Sequence, residues 1–111
     1  YLRHGNLKSK RTIIDTKDAM EAYWLAAKKG RIGEIYNICG KQKISINEFL
    51  KKLISFSNKK ILCKLDKNLV RPKDIDLQIA DCSKFMKHTG WKPKTDLNLA
   101  ILNLLKECRK K

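Results

Sequence analysis

Two arginines set beside extended backbone carry the strongest chemical signal in the sequence. Arg11 closes the basic run Lys8-Ser9-Lys10-Arg11 directly before Thr12-Ile13-Ile14, and Arg71 opens the stretch Arg71-Pro72-Lys73-Asp74-Ile75-Asp76. β-Branched residues favour extended chain, so Arg11 falls at a loop-to-strand junction. Proline keeps the residue before it out of the helical region, which gives Arg71 a defined direction. A guanidinium presents a planar fork of donors that matches phosphate oxygens in pairs. Two forks converging on one point would suit a diphosphate, and Asp74, three residues after Arg71, could accept hydrogen bonds from a ribose diol. The competing arrangement is a pair of ordinary salt bridges, Arg11 to Asp15 and Arg71 to Asp74, and the spacing leaves both open.

Other chemistries are poorly represented. The chain has no glycine-rich dinucleotide loop and no GxxxxGK phosphate loop, and no serine or cysteine stands in a recognised nucleophile motif. Asp74 and Asp76 make a poor acid/base pair, so no catalytic residue is nominated. Cys39, Cys63, Cys82 and Cys108 are isolated from one another, and neither His4 nor His88 is spaced with a cysteine in a ligand pattern. The expectation is four reduced and mostly buried thiols, with no metal site. His88 is expected on the surface without a chemical role.

The formal charge of +15 over 111 residues admits a diffuse lysine-rich surface, a small anionic ligand such as a phosphate ester, or a nucleic-acid or polyanion partner. The lysines are spread along the chain, and no aromatic-interleaved basic run or helix-turn-helix pattern favours nucleic acid. With 42% hydrophobic and 33% charged residues the composition is that of a globular chain rather than a disordered one. A length of 111 residues points to one domain. No apolar run approaches about 18 residues, so no membrane span is expected. Nothing at the start resembles an export signal, and Tyr1 is not a natural start, so a cytoplasmic chain cut from something longer is expected.

The elements that must position the arginines follow from caps and periodicity. Gly5-Asn6 signals a turn after a short extended opening. Asp15 caps a helix to Lys29 with Gly30 just beyond, and Ala19, Ala22, Tyr23 and Ala26 form its expected inner stripe, flanked by Met20, Trp24 and Ala27. This helix should pack closely on a sheet or, if the chain is a fragment, on the missing part, with Tyr23 and Trp24 in core or interface packing. Glu34 to Cys39 reads as a strand. Ser45-Ile46-Asn47-Glu48 is a capping box ahead of a helix whose inner face is Phe49, Leu50, Leu53, Ile54 and Phe56. Short strands are expected over Ile61 to Leu65 and Leu77 to Ala80. A short helix over Lys84 to His88, capped by Asp81 or Ser83, ends at Gly90 with Trp91 covering it. Thr95-Asp96 starts the last helix, whose face is Leu97, Ala100, Ile101, Leu104, Leu105 and Cys108.

Several tracts taken together resemble a known family. They are Gly5-Asn6-Leu7, Arg11 with Asp15 and Asp18, AYWLA at 22–26, GEIYNIC at 33–39, SINEFL at 45–50, RPKDID at 71–76, Asp81-Cys82-Ser83-Lys84 and TGWKP at 89–93. In order and spacing they resemble the C-terminal part of the extended short-chain dehydrogenase/reductase family acting on nucleotide sugars, and within it the GDP-mannose 4,6-dehydratase and GDP-4-keto-6-deoxymannose reductase branches. The resemblance implies a small mixed α/β substrate-binding domain, residues 1–111, without its Rossmann domain. It implies a GDP-sugar ligand, with NAD(P) and the catalytic tyrosine and lysine in the N-terminal Rossmann domain, which would be this domain's partner in a homo-oligomeric enzyme. Arg11 and Arg71 match the family's diphosphate-binding arginines, Asp74 its acidic residue on the ribose, and Gly5 and Asn6 its nucleotide pocket. The parent would be a lyase or an oxidoreductase, and an epimerase of the same family remains an alternative. Thr12 departs from the pattern, which usually has aspartate directly after the arginine, and that loosens the expected support of Arg11.

Overall fold

Asp15 turns the chain from extended to helical backbone, its carboxylate accepting the Lys17 N–H at 2.8 Å. In the computed structural model, which describes residues 1–111, the elements are β1 (Leu2–His4), β2 (Lys10–Thr12), α1 (Thr16–Lys29), β3 (Lys43–Ser45), α2 (Ile46–Ser55), β4 (Cys63–Leu65), a 3-10 turn (Lys67–Leu69), β5 (Leu77–Gln78), α3 (Ser83–Thr89) and α4 (Leu97–Lys110). No helix is long and apolar enough to cross a membrane. The residues separate into two compact units, one of 1–11 with 44–78 and the other of 12–43 with 79–111.

The first unit is a thin mixed α/β layer. β1 runs parallel to β4 with Arg3 opposite Lys64, and β2 runs parallel to β5 with Arg11 opposite Gln78. β2 is the middle strand of the order β3-β2-β5. The N-cap half of the expected capping box forms, with the Ser45 hydroxyl accepting the Glu48 N–H at 3.1 Å. The start of α2 is tied down further by Ile46 N–H to the Ser9 carbonyl and Asn47 N–H to the Leu7 carbonyl, both 2.9 Å. Phe49, Leu50, Leu53, Ile54 and Phe56 are half-buried, and Ile44 and Ser9 are buried. The strands over 61–65 and 77–80 are shorter than expected, because pairing ends after two or three residues.

The second unit has the larger core. Ala22, Cys39, Cys82, Phe85 and Trp91 are buried together, with Ile14, Leu25, Ala26, Tyr36, Ile38, Ala80 and Met86 packed around them. Trp91 is 1% exposed, its ring 5.5 Å from Phe85, and its indole N–H donates to the Asp18 carbonyl at 3.1 Å. Gly90 ends α3 at φ 74°, a left-handed conformation that a side chain resists, and its N–H reaches the Met86 carbonyl at 2.8 Å. The N-cap residue of α3 is Cys82, which makes no side-chain cap bond, rather than the expected Asp81 or Ser83; Asp81, one residue earlier, accepts the Ser83 N–H at 2.9 Å.

Several expectations are corrected here. α1 packs on α3 rather than on a sheet, and its inner face is Asp18, Ala22, Leu25 and Ala26. Tyr23 and Trp24 are both 65% exposed, so they are not core residues of this chain, and the interface alternative stays open. The stripe is turned because the Asp18 carboxylate accepts the Lys94 and Thr95 N–H groups, 3.1 and 2.8 Å away, beside the Trp91 bond. Residues 34–39 form no strand. Tyr36 and Ile38 pack inward, but Ile35 is 84% exposed, and no second strand lies alongside to complete a ladder. In α4 only Leu97 and Ile101 are buried, while Leu104 and Cys108 are exposed, since the helix runs beyond its packing partners.

Two of the four thiols, Cys63 and Cys108, are exposed, so the expectation of mostly buried cysteines holds only for Cys39 and Cys82. Those two sulfurs are 3.0 Å apart, and burial, reinforced by the Cys82 thiol, pushes the Cys39 pKa up to about 11. His88 is half-buried rather than on the surface, its Nδ1 2.7 Å from the Tyr36 hydroxyl. Loss of hydration, with Arg31 nearby, lowers its pKa below 6.5.

Candidate functional site

Gly5, Asn6, Ser9, Arg11, Ile46, Leu69, Arg71 and Asp74 line one cleft of about 290 Å³ in the first unit. Three segments build its walls, and Ile46 at the start of α2 adds to the lining. The 5–11 stretch forms one wall, fixed by β1 and β2 at its ends and by the α2 N–H groups that bond back to Leu7 and Ser9. The 3-10 turn brings the second, with Asp66 capping the Asn68 N–H at 3.0 Å and its own N–H on the His4 carbonyl at 2.9 Å. The 71–76 loop that enters β5 is the third.

Gly5 is required where the first two walls meet. A Cβ there would run into the Leu69 carbonyl, a backbone atom that cannot swing aside. The close approach holds the 3-10 turn, and Arg71 two residues after it, against the Gly5-Asn6 corner.

Arg11 is held from one side. Its Nη1 donates to the Ile75 carbonyl at 2.7 Å and to its neighbour's carbonyl, Lys10, at 3.1 Å, while Nη2 lies 3.6 Å from Asp74 Oδ1. Both hydrogen bonds of the guanidinium are made through Nη1, and Nη2 carries the ion pair. The ion pair of Arg11 is therefore with Asp74 and not with Asp15, whose carboxylate caps α1. Arg71 does not pair with Asp74 or with any other carboxylate of the chain. The cleft thus carries one partly compensated and one uncompensated guanidinium.

Asp74 is the hub. Its Oδ2 accepts from the Asn6 amide at 3.0 Å and the Ser9 hydroxyl at 3.3 Å, and its Oδ1 accepts the Ile75 N–H at 2.9 Å. The Asn6 amide is the main reason its pKa lies below the usual 3.8, with the Ile75 N–H, Ser9 and Arg11 adding to it against the cost of desolvation. Asn6 also accepts the Lys8 N–H at 2.9 Å, which sets its orientation.

All five residues expected at a nucleotide-sugar site, Gly5, Asn6, Arg11, Arg71 and Asp74, line this cleft. Ser9, Ile46 and Leu69 were not anticipated. For Ser9 the signal was its spacing, two residues before Arg11, which in extended chain returns to the same side. No group of three histidine, cysteine or acidic side chains could hold a metal ion.

The family profile described as GDP-mannose 4,6 dehydratase matches residues 1–103. The chain belongs to the GDP-mannose 4,6 dehydratase family. The GDP-6-deoxy-D-mannose reductase of Pseudomonas aeruginosa is 23% identical over 106 residues, covering 96% of this chain and 35% of that protein. GDP-mannose 4,6 dehydratase 1 of Arabidopsis thaliana is 28% identical over 107 residues, covering 93% of this chain and 29% of that one. The solved structure of RMD from Pseudomonas aeruginosa with NADPH superposes with a TM-score of 0.88 at 22% identity, covering 98% of this chain and 36% of that chain, a likeness of fold. This family member spans about a third of the length of the relatives it matches.

Proposed function

We propose that this chain is the GDP-sugar-binding portion of an NAD(P)-dependent GDP-mannose 4,6-dehydratase or GDP-4-keto-6-deoxymannose reductase, with Arg11 and Arg71 holding the diphosphate of the substrate. The observation that carries this reading is the cleft itself. Two guanidinium groups from segments sixty residues apart in sequence line the same 290 Å³ space, and one of them has no carboxylate partner in the chain. An uncompensated arginine beside a half-compensated one favours a doubly charged oxyanion ligand. Asn6 and Gly5 stand on the same wall, where a nucleotide would lie against them.

The chain's own residues bind and orient. The hydride chemistry that NAD(P) supplies in such enzymes is not assigned to any of them, because the chain has no glycine-rich strand-to-helix turn for a dinucleotide.

Titrating the intact protein with GDP tests the reading. Arg71→Ala should weaken binding by about 2 kcal/mol, roughly thirtyfold, with the fold intact, since Arg71 is exposed and makes no ion pair within the chain. Unchanged affinity would overturn the assignment. Turnover of GDP-mannose with NADP, against turnover of the 4-keto-6-deoxy sugar with NADPH, separates dehydratase from reductase, and UDP-glucose in the same assay reports an epimerase. A duplex that bound saturably at moderate salt, with GDP failing to compete, would favour the polyanion reading that the net charge alone supports.

A further inference from the structure

Cys39 and Cys82 are the two buried thiols of the second unit, 43 residues apart in sequence, and their sulfurs lie 3.0 Å from one another. Carbon atoms in contact pack best at about 3.5–4.0 Å, and sulfur is the larger atom, so this pair is closer than packing alone brings two side chains. A disulfide needs about 2.05 Å, an approach of about 1 Å shared between the two side chains. Two thiolates on one tetrahedral metal ion would instead have to part to about 3.8 Å. No group of three histidine, cysteine or acidic side chains is present to complete such a metal site. The spacing therefore favours a bond between the sulfurs over a shared ion.

Both cysteines line a cavity of about 490 Å³ within the second unit. Lys41, Lys43 and Lys92 also line it and are exposed, so it opens to solvent. A molecule as small as hydrogen peroxide can enter such a space, with Met86 on the same wall. We propose that Cys39 and Cys82 form a reversible oxidation site, at which a hydroperoxide joins them into a disulfide that ties the core of the second unit together. One sulfur, as thiolate, attacks the peroxide O–O bond and becomes a sulfenic acid, with the first oxygen leaving as water. The other sulfur then attacks that sulfur, and the second oxygen leaves as water. Two thiols thus give up two protons and two electrons, and the peroxide is reduced to two waters. A dithiol reductant reverses the change by exchange. Burial holds the Cys39 thiol protonated, its pKa pushed up to about 11, so thiolate is scarce at neutral pH and the first step is slow. The site answers sustained exposure to oxidant rather than a brief pulse. Neither cysteine lines the arginine cleft, so the inference does not rest on the diphosphate reading.

The test incubates the intact wild-type protein with hydrogen peroxide under native conditions, removes the oxidant with catalase, alkylates the remaining thiols in denaturant and maps the peptides. The peptides bearing Cys39 and Cys82 should emerge linked, lighter by two hydrogens than their sum, and separate on treatment with dithiothreitol. The melting temperature of the oxidised protein should rise by about 5 °C or more, because the bond limits the unfolded chain, and should fall back on reduction. Cys63→Ser combined with Cys108→Ser removes the exposed thiols and should leave the link and the shift unchanged. Recovery of Cys39 and Cys82 as free thiols would overturn the proposal, most directly if Met86 in the same cavity is recovered as its sulfoxide. Linkage of either residue to Cys63 or Cys108, or linkage only after unfolding, would overturn it as well. A link that forms but leaves the melting temperature unchanged or lowers it would overturn the tie on the core.

Discussion

Gly5 governs the cleft by what it lacks. The Leu69 carbonyl sits where a Cβ would be, so Gly5→Ala must push the 3-10 turn outward and carry Arg71 with it. The expected outcome is a stability loss of about 1–3 kcal/mol together with GDP affinity reduced on the order of tenfold, read by urea denaturation and calorimetry. A variant that binds GDP like the wild type would show that the turn does not set the position of Arg71. At this scale the sequence was partly legible. Proline after Arg71 and β-branched residues after Arg11 restrict the backbone locally, and that much can be read from neighbours in the chain. Which carboxylate each arginine meets cannot, because Asp15 and Asp74 are equally good partners on paper. The choice is made by Asp15 being spent on the α1 N-terminus and by Asn6 and Ser9 drawing Asp74 toward Arg11.

Elements were legible where their signals are local. The caps advertised at Asp15, Ser45 and Asp96 are formed, because an N-cap needs only its own side chain and an N–H two or three residues on. Residues 34–39 show the opposite case. Alternating apolar residues satisfy the pattern of a strand, but a ladder needs a neighbour, and none runs beside this stretch. The inner face of α1 was missed for a third reason, that a buried carboxylate does not register as core. Asp18 is 4% exposed and accepts two backbone N–H groups of the turn before α4. Asp18→Ala takes the partner from both part-buried donors and should cost about 1–3 kcal/mol of stability by chemical denaturation. A loss under about 0.5 kcal/mol would mean that water replaces the carboxylate without penalty.

Across the whole molecule, burial divides the thiols more sharply than composition suggested. Cys63 and Cys108 are exposed, whereas Cys39 and Cys82 are buried in the second unit, and Cys39 is further protected by a pKa pushed up to about 11. Native protein treated with a thiol reagent at neutral pH should therefore modify two cysteines quickly, and all four only after denaturation. Fast labelling of Cys39 or Cys82 would show that the core opens readily. The overall class, a small mixed α/β arrangement, was readable from the order of caps and apolar runs. The division into two units was not, because each is assembled from separate stretches of chain and no linker composition marks the boundaries.

That interleaving bears on how the polypeptide can mature during synthesis. The indole of Trp91 closes on a carbonyl 73 residues earlier, so the larger core cannot seal until residue 91 has left the ribosome. The cleft-bearing unit, by contrast, has all its parts once residue 78 has emerged, and a nascent chain stalled shortly after that point would already offer its arginines to an anion.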